Sequence, residues 1–197
     1  MENRRRQWFV LGAATAALVV ATTGAAAQEL SAGYQFQHLS SLGPSGDSIN
    51  APAGFNIDVT FPIIKHLEAV GQIDWSRKTE STTAFGATTD TMANYTTFGG
   101  GVRWRGAAGR KATPYVQVLA GRMHSGYSST ATAGGTQASG TSSESDAIVQ
   151  VGGGMAVRVG GHGSMVGQVD YRHIFAIGQG PSGVSSVRIV VGMRFGL

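Results

Sequence analysis

The stretch AGFNIDVTF at residues 53–61 alternates between two kinds of side chain. Phe55, Ile57, Val59 and Phe61 are apolar, whereas the residues between them are Gly, Asn, Asp and Thr. Successive side chains of a β-strand point to opposite faces of the sheet, so a period of two residues is typical of a strand with one apolar and one polar face. We therefore predict such a strand here.

The same alternation recurs on both sides of this stretch. It predicts eight strands, near residues 29–38, 53–61, 67–77, 93–105, 113–124, 147–159, 164–173 and 185–196. No long segment after residue 28 shows the 3.6-residue period of an amphipathic helix. The connections alternate in length, with long ones near 39–52, 78–92, 125–146 and 174–184 and short ones near 62–66, 106–112 and 160–163.

The first 27 residues have the organisation of a secretory signal peptide. Three arginines at positions 4–6 precede an apolar run that ends near Val20, and small residues provide a cleavage site after Ala27. We expect export by the Sec route, and the Arg5-Arg6 pair leaves a twin-arginine signal as an alternative. The apolar run is too short to be a good membrane-spanning helix. We assign residues 28–197 to one domain.

The composition excludes several classes of protein. Of the 197 residues, 42% are hydrophobic and only 13% are charged, about half the charged share of an ordinary soluble domain. The absence of cysteine excludes disulfides, thiolate metal sites and a cysteine nucleophile. Removing residues 1–27, which hold three Arg and one Glu, lowers the formal net charge from +4 to +2. This weak and unclustered charge argues against nucleic acid as a partner.

The alternation does not by itself say which face points inward. The polar face has too few charges for a water-exposed shell, and the large apolar side chains would overfill the interior of an eight-stranded barrel. Connections that alternate between long and short are typical of an outer-membrane barrel with both termini in the periplasm. We therefore predict an all-β fold, a closed eight-stranded antiparallel up-and-down transmembrane β-barrel with its apolar face toward lipid.

Aromatic residues near the strand ends support this orientation, because amphipathic rings concentrate where the apolar band meets the headgroups. The predicted outer and inner girdles together contain Phe36, Phe55, Trp75 and Tyr171, and Phe61, Trp104 and Phe195. The fifth predicted strand is the least regular, since its parity places Arg122 and His124 on the lipid face. Either these two residues lie above the membrane or a bulge shifts the register.

The last predicted strand ends in the pattern VVGMRFGL, with Gly192, Phe195 and Leu197 at its characteristic places. Together with the size, the alternation and the unequal loops, this pattern makes residues 28–197 resemble the small eight-stranded outer-membrane β-barrel family, the OmpA/OmpX-like and opacity-type porin-family proteins. The resemblance implies that the C-terminal pattern is a signal for the barrel-assembly machinery, although Val190 stands in a polar place and Leu197 replaces Phe. It also implies a bacterial outer-membrane location, contact with outer-membrane lipids, and periplasmic chaperones as partners during biogenesis.

The alternation of side chains along each strand also assigns a set of polar side chains to the lumen. Charges in a confined interior must be paired and hydrogen-bonded, so we expect Glu68 to pair with Arg103, or by a shift in register with Arg105 or Arg194. A second cluster of Asp74, Asp170, Arg172 and Arg188 is expected toward the outer end. The predicted polar network of the lumen comprises Asp58, Glu68, Gln72, Asp74, Arg103, Gln150, Arg158, Gln168, Asp170, Arg172, Arg188 and Arg194, with Gln35, Asn56 and Gln117 on the same face.

These features predict an outer-membrane barrel whose polar lumen is plugged and whose role is structural or one of surface interaction. The Ser/Thr/Gly/Ala-rich segment 125–146, which we expect to be a mobile loop, is the candidate for binding a surface ligand. A narrow channel for ions or small solutes is the alternative. An enzyme that modifies lipid A stands third.

We predict no catalytic residues, and therefore no enzyme. Barrels of the lipid A deacylase type carry a His-x-Ser pair on a strand, but here His173 is followed by Ile174 and Phe175. His38 and Ser40 have the required spacing but no assigned acid. The remaining histidines show no paired metal-ligand spacing, and we predict no metal and no cofactor.

Overall fold

The protein is described here as a computed structural model that covers residues 29–41, 48–51, 53–107, 111–161, 163–175 and 183–196. The predicted signal peptide and its cleavage site lie outside these residues. Among the residues covered, no helix is long and apolar enough to cross a membrane. The strands are β1 (Glu29–Ser41), β2 (Ser48–Ala51), β3 (Ala53–Ile64), β4 (Leu67–Ala84), β5 (Ala87–Arg105), β6 (Ala112–Ala133), β7 (Thr136–Arg158), β8 (Gly163–Phe175) and β9 (Val184–Gly196).

Hydrogen bonds between neighbouring strands form a complete ring. From β3 onward each strand pairs antiparallel with the next along the chain, and β1 pairs with both β3 and β9. β2 is a short continuation of β3 on the other side of residue 52, and both pair with β1. If β2 and β3 are counted as one interrupted strand, the ring has eight strands in up-and-down order, which confirms the predicted fold.

The register around the ring sets the tilt of the strands. The successive pairs are Glu29 with Thr60, Thr60 with Val70, Val70 with Gly101, Gly101 with Leu119, Leu119 with Gln150, Gln150 with Arg172, Arg172 with Ser186, and Ser186 with Leu39. One circuit therefore advances ten residues along β1, from position 29 to position 39. With about 3.3 Å per residue and about 4.8 Å between eight strands, this advance tilts the strands by about 40°.

The two faces of the ring differ as the alternation predicts. On β3, Asn56 and Asp58 are buried inside, whereas Phe55 and Ile57 are 62% and 45% exposed on the outer face. Buried inner and exposed outer side chains alternate in the same way along the other strands, so the apolar side chains form a band on the outside of the barrel. On β6, Arg122 and His124 point outward and the pairing of this strand is unbroken on both sides, so no bulge shifts its register.

The strands extend far beyond the predicted boundaries on one side of the ring. Residues 78–92 and 125–146 are not loops, as predicted, but parts of two long hairpins whose turns lie at Phe85-Gly86 and Gly134-Gly135. All four turn residues have positive φ, the conformation that two-residue hairpin turns require. The prediction was wrong because most side chains on both faces of these segments are small or polar and at least partly exposed, and an alternation signal needs contrast between two faces.

Glycine allows a close approach of β5 and β6 on the inner face. A Cβ atom on Gly101 would lie 2.0 Å from the carbonyl oxygen of Val118, and one on Gly121 would lie 2.1 Å from that of Phe98. The neighbouring Gly100 points outward, where the nearest atom would be 3.6 Å away. Strand glycines of this kind permit tight backbone approach and strong curvature.

We expect Gly101→Ala to lower the free energy of unfolding by about 1–3 kcal/mol, because the added methyl group forces the two backbones apart. The matched control, Gly100→Ala, changes the adjacent residue and should stay within about 0.5 kcal/mol of the parent. Reversible unfolding in lipid bilayers measures both values. Equal losses in the two variants would contradict the assigned inward face of β5.

Candidate functional site

The barrel has two different ends. We call the end at which β1 begins and β9 finishes the terminal end, and the opposite end, with the long hairpins, the hairpin end. The lumen between them contains an apolar layer, a layer of paired charges and a basic mouth, in order from the hairpin end to the terminal end. Each layer is formed by side chains of inward parity from several strands.

The central layer contains six fully buried charged side chains. Arg103, Arg172 and Arg188 are 0% exposed, and Asp58, Asp74 and Asp170 are at most 2% exposed. Because three guanidinium groups meet three carboxylates, the formal charges of this layer cancel. Burial of ionised side chains is tolerated when each is paired and its other polar atoms are hydrogen-bonded.

Asp74 is the centre of this layer. Its carboxylate accepts a hydrogen bond of 2.6 Å from Arg172 and one of 3.1 Å from Arg188, from strands on the far side of the ring. Gln35 and Gln72 also donate to it, at 3.3 and 3.0 Å. One carboxylate thus joins two arginines that would otherwise repel each other.

Asp170 continues the network toward the terminal end. Arg188 donates to it at 2.5 and 3.0 Å, and Gln168 and Gln117 donate at 2.7 and 3.3 Å. The side-chain oxygen of Gln117 in turn accepts from Arg103. The hydrogen bonds therefore run without a break from Asp74 through Asp170 to Arg103.

The pairing of Glu68 differs from the first expectation. Glu68 and Arg103 are direct cross-strand neighbours, but Arg103 binds Asp58 at 3.1 Å and Glu68 binds Arg105 at 2.7 Å. The predicted Glu68–Arg103 pair is wrong, and the alternative partner Arg105 is correct. The long Arg103 side chain reaches past its neighbour on β4 to the carboxylate on β3.

The other predicted lumen residues are placed as follows. Gln72, Gln150 and Gln168 are buried and hydrogen-bonded inside, and Arg194 is 4% exposed near the terminal end. Arg158 has inward parity but is exposed, because it lies at the rim, and it takes no part in the buried network. The predicted assembly pattern places Phe195 on the outer face and Gly192 beside Gly33, while Leu197 lies outside the described residues.

The predicted girdle residues all lie on the outer face. The rings of Phe55 and Trp75 stack there, with centroids 6.3 Å apart, and Tyr34 meets Phe55 edge to face. Tyr34, which also lies on this face, was not among the predicted girdle residues. The described outer-face positions of the predicted girdles are Phe36, Phe55, Phe61, Trp75, Trp104, Tyr171 and Phe195.

An apolar layer closes over the charged one at the hairpin end, and sequence analysis did not identify it. Its side chains are at inward-facing positions of the strands, beside outward-facing residues that are polar. The apolar face is therefore the inner one here, the reverse of the membrane-facing part of the barrel. Tyr95 also contacts Tyr127, with the two hydroxyl oxygens 3.3 Å apart. The buried residues of this layer are Leu39, Ala93, Tyr95, Met123, Ile148 and Ile174.

The histidine and serine residues weighed for lipid chemistry do not form a catalytic pair. His38 Nδ1 lies 2.6 Å from the amide oxygen of Asn50, and Ser40 donates to the backbone oxygen of Ser185 at 3.4 Å. Within the ranges described, no three His, Cys, Asp or Glu side chains are grouped as metal ligands.

We expect Asp74→Asn to lower the free energy of unfolding by about 3–5 kcal/mol, because it removes the carboxylate partner of the buried Arg172 and leaves Arg188 with Asp170 alone. Adding Arg172→Met should recover part of that loss, and a double-mutant cycle gives the coupling energy. The control is the exposed pair Lys78–Glu80 on the same strand, 3.2 Å apart, for which coupling of at most about 1 kcal/mol is expected. A coupling as small for the buried pair would contradict the network.

Comparison with known proteins agrees with this architecture. Ail, the attachment invasion locus protein of Yersinia pestis, is 17% identical with a TM-score of 0.55, over 87% of this chain and 100% of that one. Neisserial surface protein A is 17% identical with a TM-score of 0.58, over 89% of this chain and 100% of that one. At this identity the likeness shows the fold alone. No curated protein sequence matches the chain.

The sequence profile described as "Outer membrane protein beta-barrel domain" matches residues 11–195, nearly the whole chain. This family is located in the bacterial outer membrane, where the outward apolar band meets lipid and the paired charges are shielded inside. The chain therefore belongs to the outer membrane protein β-barrel domain family.

Proposed function

We propose that this protein mediates surface interaction at the bacterial outer membrane, through the two long hairpins, and that its barrel is plugged. In this proposal both termini face the periplasm and the hairpins extend outside the cell. The observation that supports it is the hairpin sheet, which we define as residues 78–84, 87–92, 125–133 and 136–146.

The hairpin sheet is one continuous four-stranded structure. The pairing of β5 with β6 runs to Ala87 and Ala133, so the two hairpins are joined along their whole length. Nearly all its side chains are exposed or half-buried, and most are Ser, Thr, Ala or Gly. A sheet with two solvated faces and no core of its own contributes little to barrel stability, which favours a role in binding.

One edge of the hairpin sheet has no neighbouring strand among the described residues. Residues Thr136–Ser145 of β7 pair with β6 on one side, while the described pairing with β8 begins only at Ala147. A strand edge with unpaired N–H and C=O groups can accept an extended segment from another chain. Ten residues form this edge, enough for a full-length added strand.

The charge of the hairpin sheet limits the kind of partner. Outside its buried positions it carries Lys78 against three acidic side chains, Glu80, Asp90 and Glu144. Ail has been crystallised with the heparin analogue sucrose octasulfate, a strongly anionic ligand. The acidic sheet here disfavours such a ligand, and we propose a neutral or basic extended segment as the partner.

The plug is supported by the contents of the lumen. The buried Arg–Asp network and the apolar layer above it fill the section in which an eight-stranded barrel has room only for side chains. An ion crossing this section would have to separate buried charge pairs, which is costly. We therefore propose no channel function. We also propose no lipid A chemistry, because His38 contacts Asn50 and Ser40 bonds the backbone of Ser185 instead of each other. Lipid A mass spectra should then be the same with and without the protein.

Orientation can be tested by labelling. Ser139→Cys in the hairpin sheet should react with an impermeant thiol reagent on whole cells, because we propose that this sheet is outside. Ala107→Cys, in the short connection at the terminal end, should react only after the cells are opened. The chain has no native cysteine to interfere. Reversed labelling would overturn the proposed orientation.

Binding can be tested by shortening the sheet. Deleting residues 130–133 and 136–139 removes four residues from each strand, keeps the Gly134-Gly135 turn and preserves the alternation of faces. Cells displaying the parent should bind at least one member of a panel of immobilised matrix proteins, glycans and cells carrying the same protein. The deletion should reduce that binding at least tenfold, and heparin should not bind.

The control for this experiment is Gly134→Asn, which keeps the length of the edge and a favoured hairpin turn. It should bind as the parent does. Currents of the parent in planar bilayers should stay at background. Steady single-channel currents, together with equal panel binding by the parent and the shortened variant, would replace the proposal with the channel alternative.

A further inference from the structure

The basic mouth of the lumen at the terminal end contains a cavity of about 90 Å³. Four of its lining side chains are cationic and one is acidic, and two hydroxyl groups from β6 and β8 also face it. The lining residues are Glu29, Arg105, Lys111, Thr113, Ala156, Arg158, Ser164 and Arg194. This mouth lies at the opposite end of the barrel from the hairpin sheet.

Among the described residues, the charges around this cavity do not cancel. Glu29 pairs with both Arg105 and Arg194, and Glu68 pairs with Arg105. Lys111 and Arg158 form no ion pair with any carboxylate in the described part of the chain. Two positive charges in excess therefore surround a small, partly enclosed space, in contrast to the balanced layer above it.

Arg194 shows that the site lacks an acceptor. Its side chain is 96% buried, and it donates from Nε to Ser31 at 3.1 Å and approaches Glu29 from Nη1 at 3.5 Å. Its Nη2 has no hydrogen-bond partner among the described residues, and neither does Nε of Arg105. A buried N–H group without an acceptor is costly, so such a group points to a missing water or anion.

The position of Arg194 is held by an aromatic ring. Its guanidinium carbon lies 5.0 Å from the centre of the Tyr115 ring, and that of Arg103 lies 4.5 Å from the same centre. Arg103 has its own carboxylate partner, Asp58, whereas Arg194 shares Glu29 with Arg105. The ring contact fixes the direction of Arg194 without supplying the acceptor that its Nη2 lacks.

We propose that this cavity binds a phosphate group. The two buried, unpartnered atoms of its lining residues, Arg194 Nη2 and Arg105 Nε, are both donors, and arginine and lysine together are the usual ligands of phosphate oxygens. The volume is sufficient for one small oxyanion, whose negative charge offsets the excess of Lys111 and Arg158. The phosphate is either free in solution or part of a phospholipid headgroup that reaches over the rim.

The test is titration with inorganic phosphate of the full chain in a maltoside detergent that contains no phosphorus. Binding is measured by calorimetry against chloride at equal ionic strength. Saturable binding should be seen for the parent, and Arg194→Met should weaken it at least tenfold. Arg158→Gln combined with Lys111→Gln should weaken it similarly, and because both residues are exposed at the rim this variant should fold even if Arg194→Met does not.

The matched control is Arg122→Gln, which removes an exposed arginine from the outer face toward the other end. It should leave phosphate affinity unchanged. If Arg122→Gln weakened phosphate binding as much as the cavity variants do, the loss would be due to net charge alone, and the proposed site would be wrong. Absence of saturable binding by the parent would leave water as the partner of Arg194 and also overturn it. Repeating the titration in phospholipid nanodiscs identifies the source: unchanged affinity indicates free phosphate, and weaker affinity indicates a competing headgroup.

Discussion

The structure depends on the closure of the hydrogen-bonded ring between β1 and β9. In lipid no water is available for backbone N–H and C=O groups, so a sheet can cross the membrane only when it has no open edge. Closure with eight strands and a register shift of ten residues around the ring then fixes the tilt of the strands and leaves an interior of small cross-section. The outward side chains must be apolar, and the inward ones must fill a narrow space without leaving a charge unpaired.

The interior satisfies this requirement by joining polar groups across the ring. Asp74 on β4 binds Arg172 on β8 and Arg188 on β9, so a single carboxylate connects strands that share no backbone hydrogen bond. Glutamine side chains add further hydrogen bonds to both the arginines and the carboxylates. Such a network stabilises the barrel less by the strength of any one pair than by the cost of separating its members. The same cost is what would oppose the passage of an ion.

The alternation of side chains predicts the strands best where one face of a strand meets lipid. The contrast between Phe55 and Asn56 is large, and parity then identified Asp74, Arg172 and Arg188 as inward residues. The partners of Glu68 and Arg103 could not be predicted with equal certainty, because contacts across the lumen depend on tilt and side-chain length as well as on parity. The long hairpins were not predicted for a different reason: a strand such as Thr136–Ser145, whose side chains are exposed on both faces, has no alternation to detect.

The two ends of the lumen are unlike in a way that closure alone does not require. At the hairpin end, Tyr95, Met123 and Ile148 belong to a buried apolar layer that covers the charges beneath it. At the terminal end, no carboxylate of the described ranges pairs with Lys111 or Arg158, which leave positive charge around a space that solvent can enter. A barrel needed only as a scaffold would gain from balanced charges at both ends, because uncompensated like charges repel. The excess is therefore better explained by a ligand that arrives from the terminal side, and in the proposed orientation that side faces the periplasm.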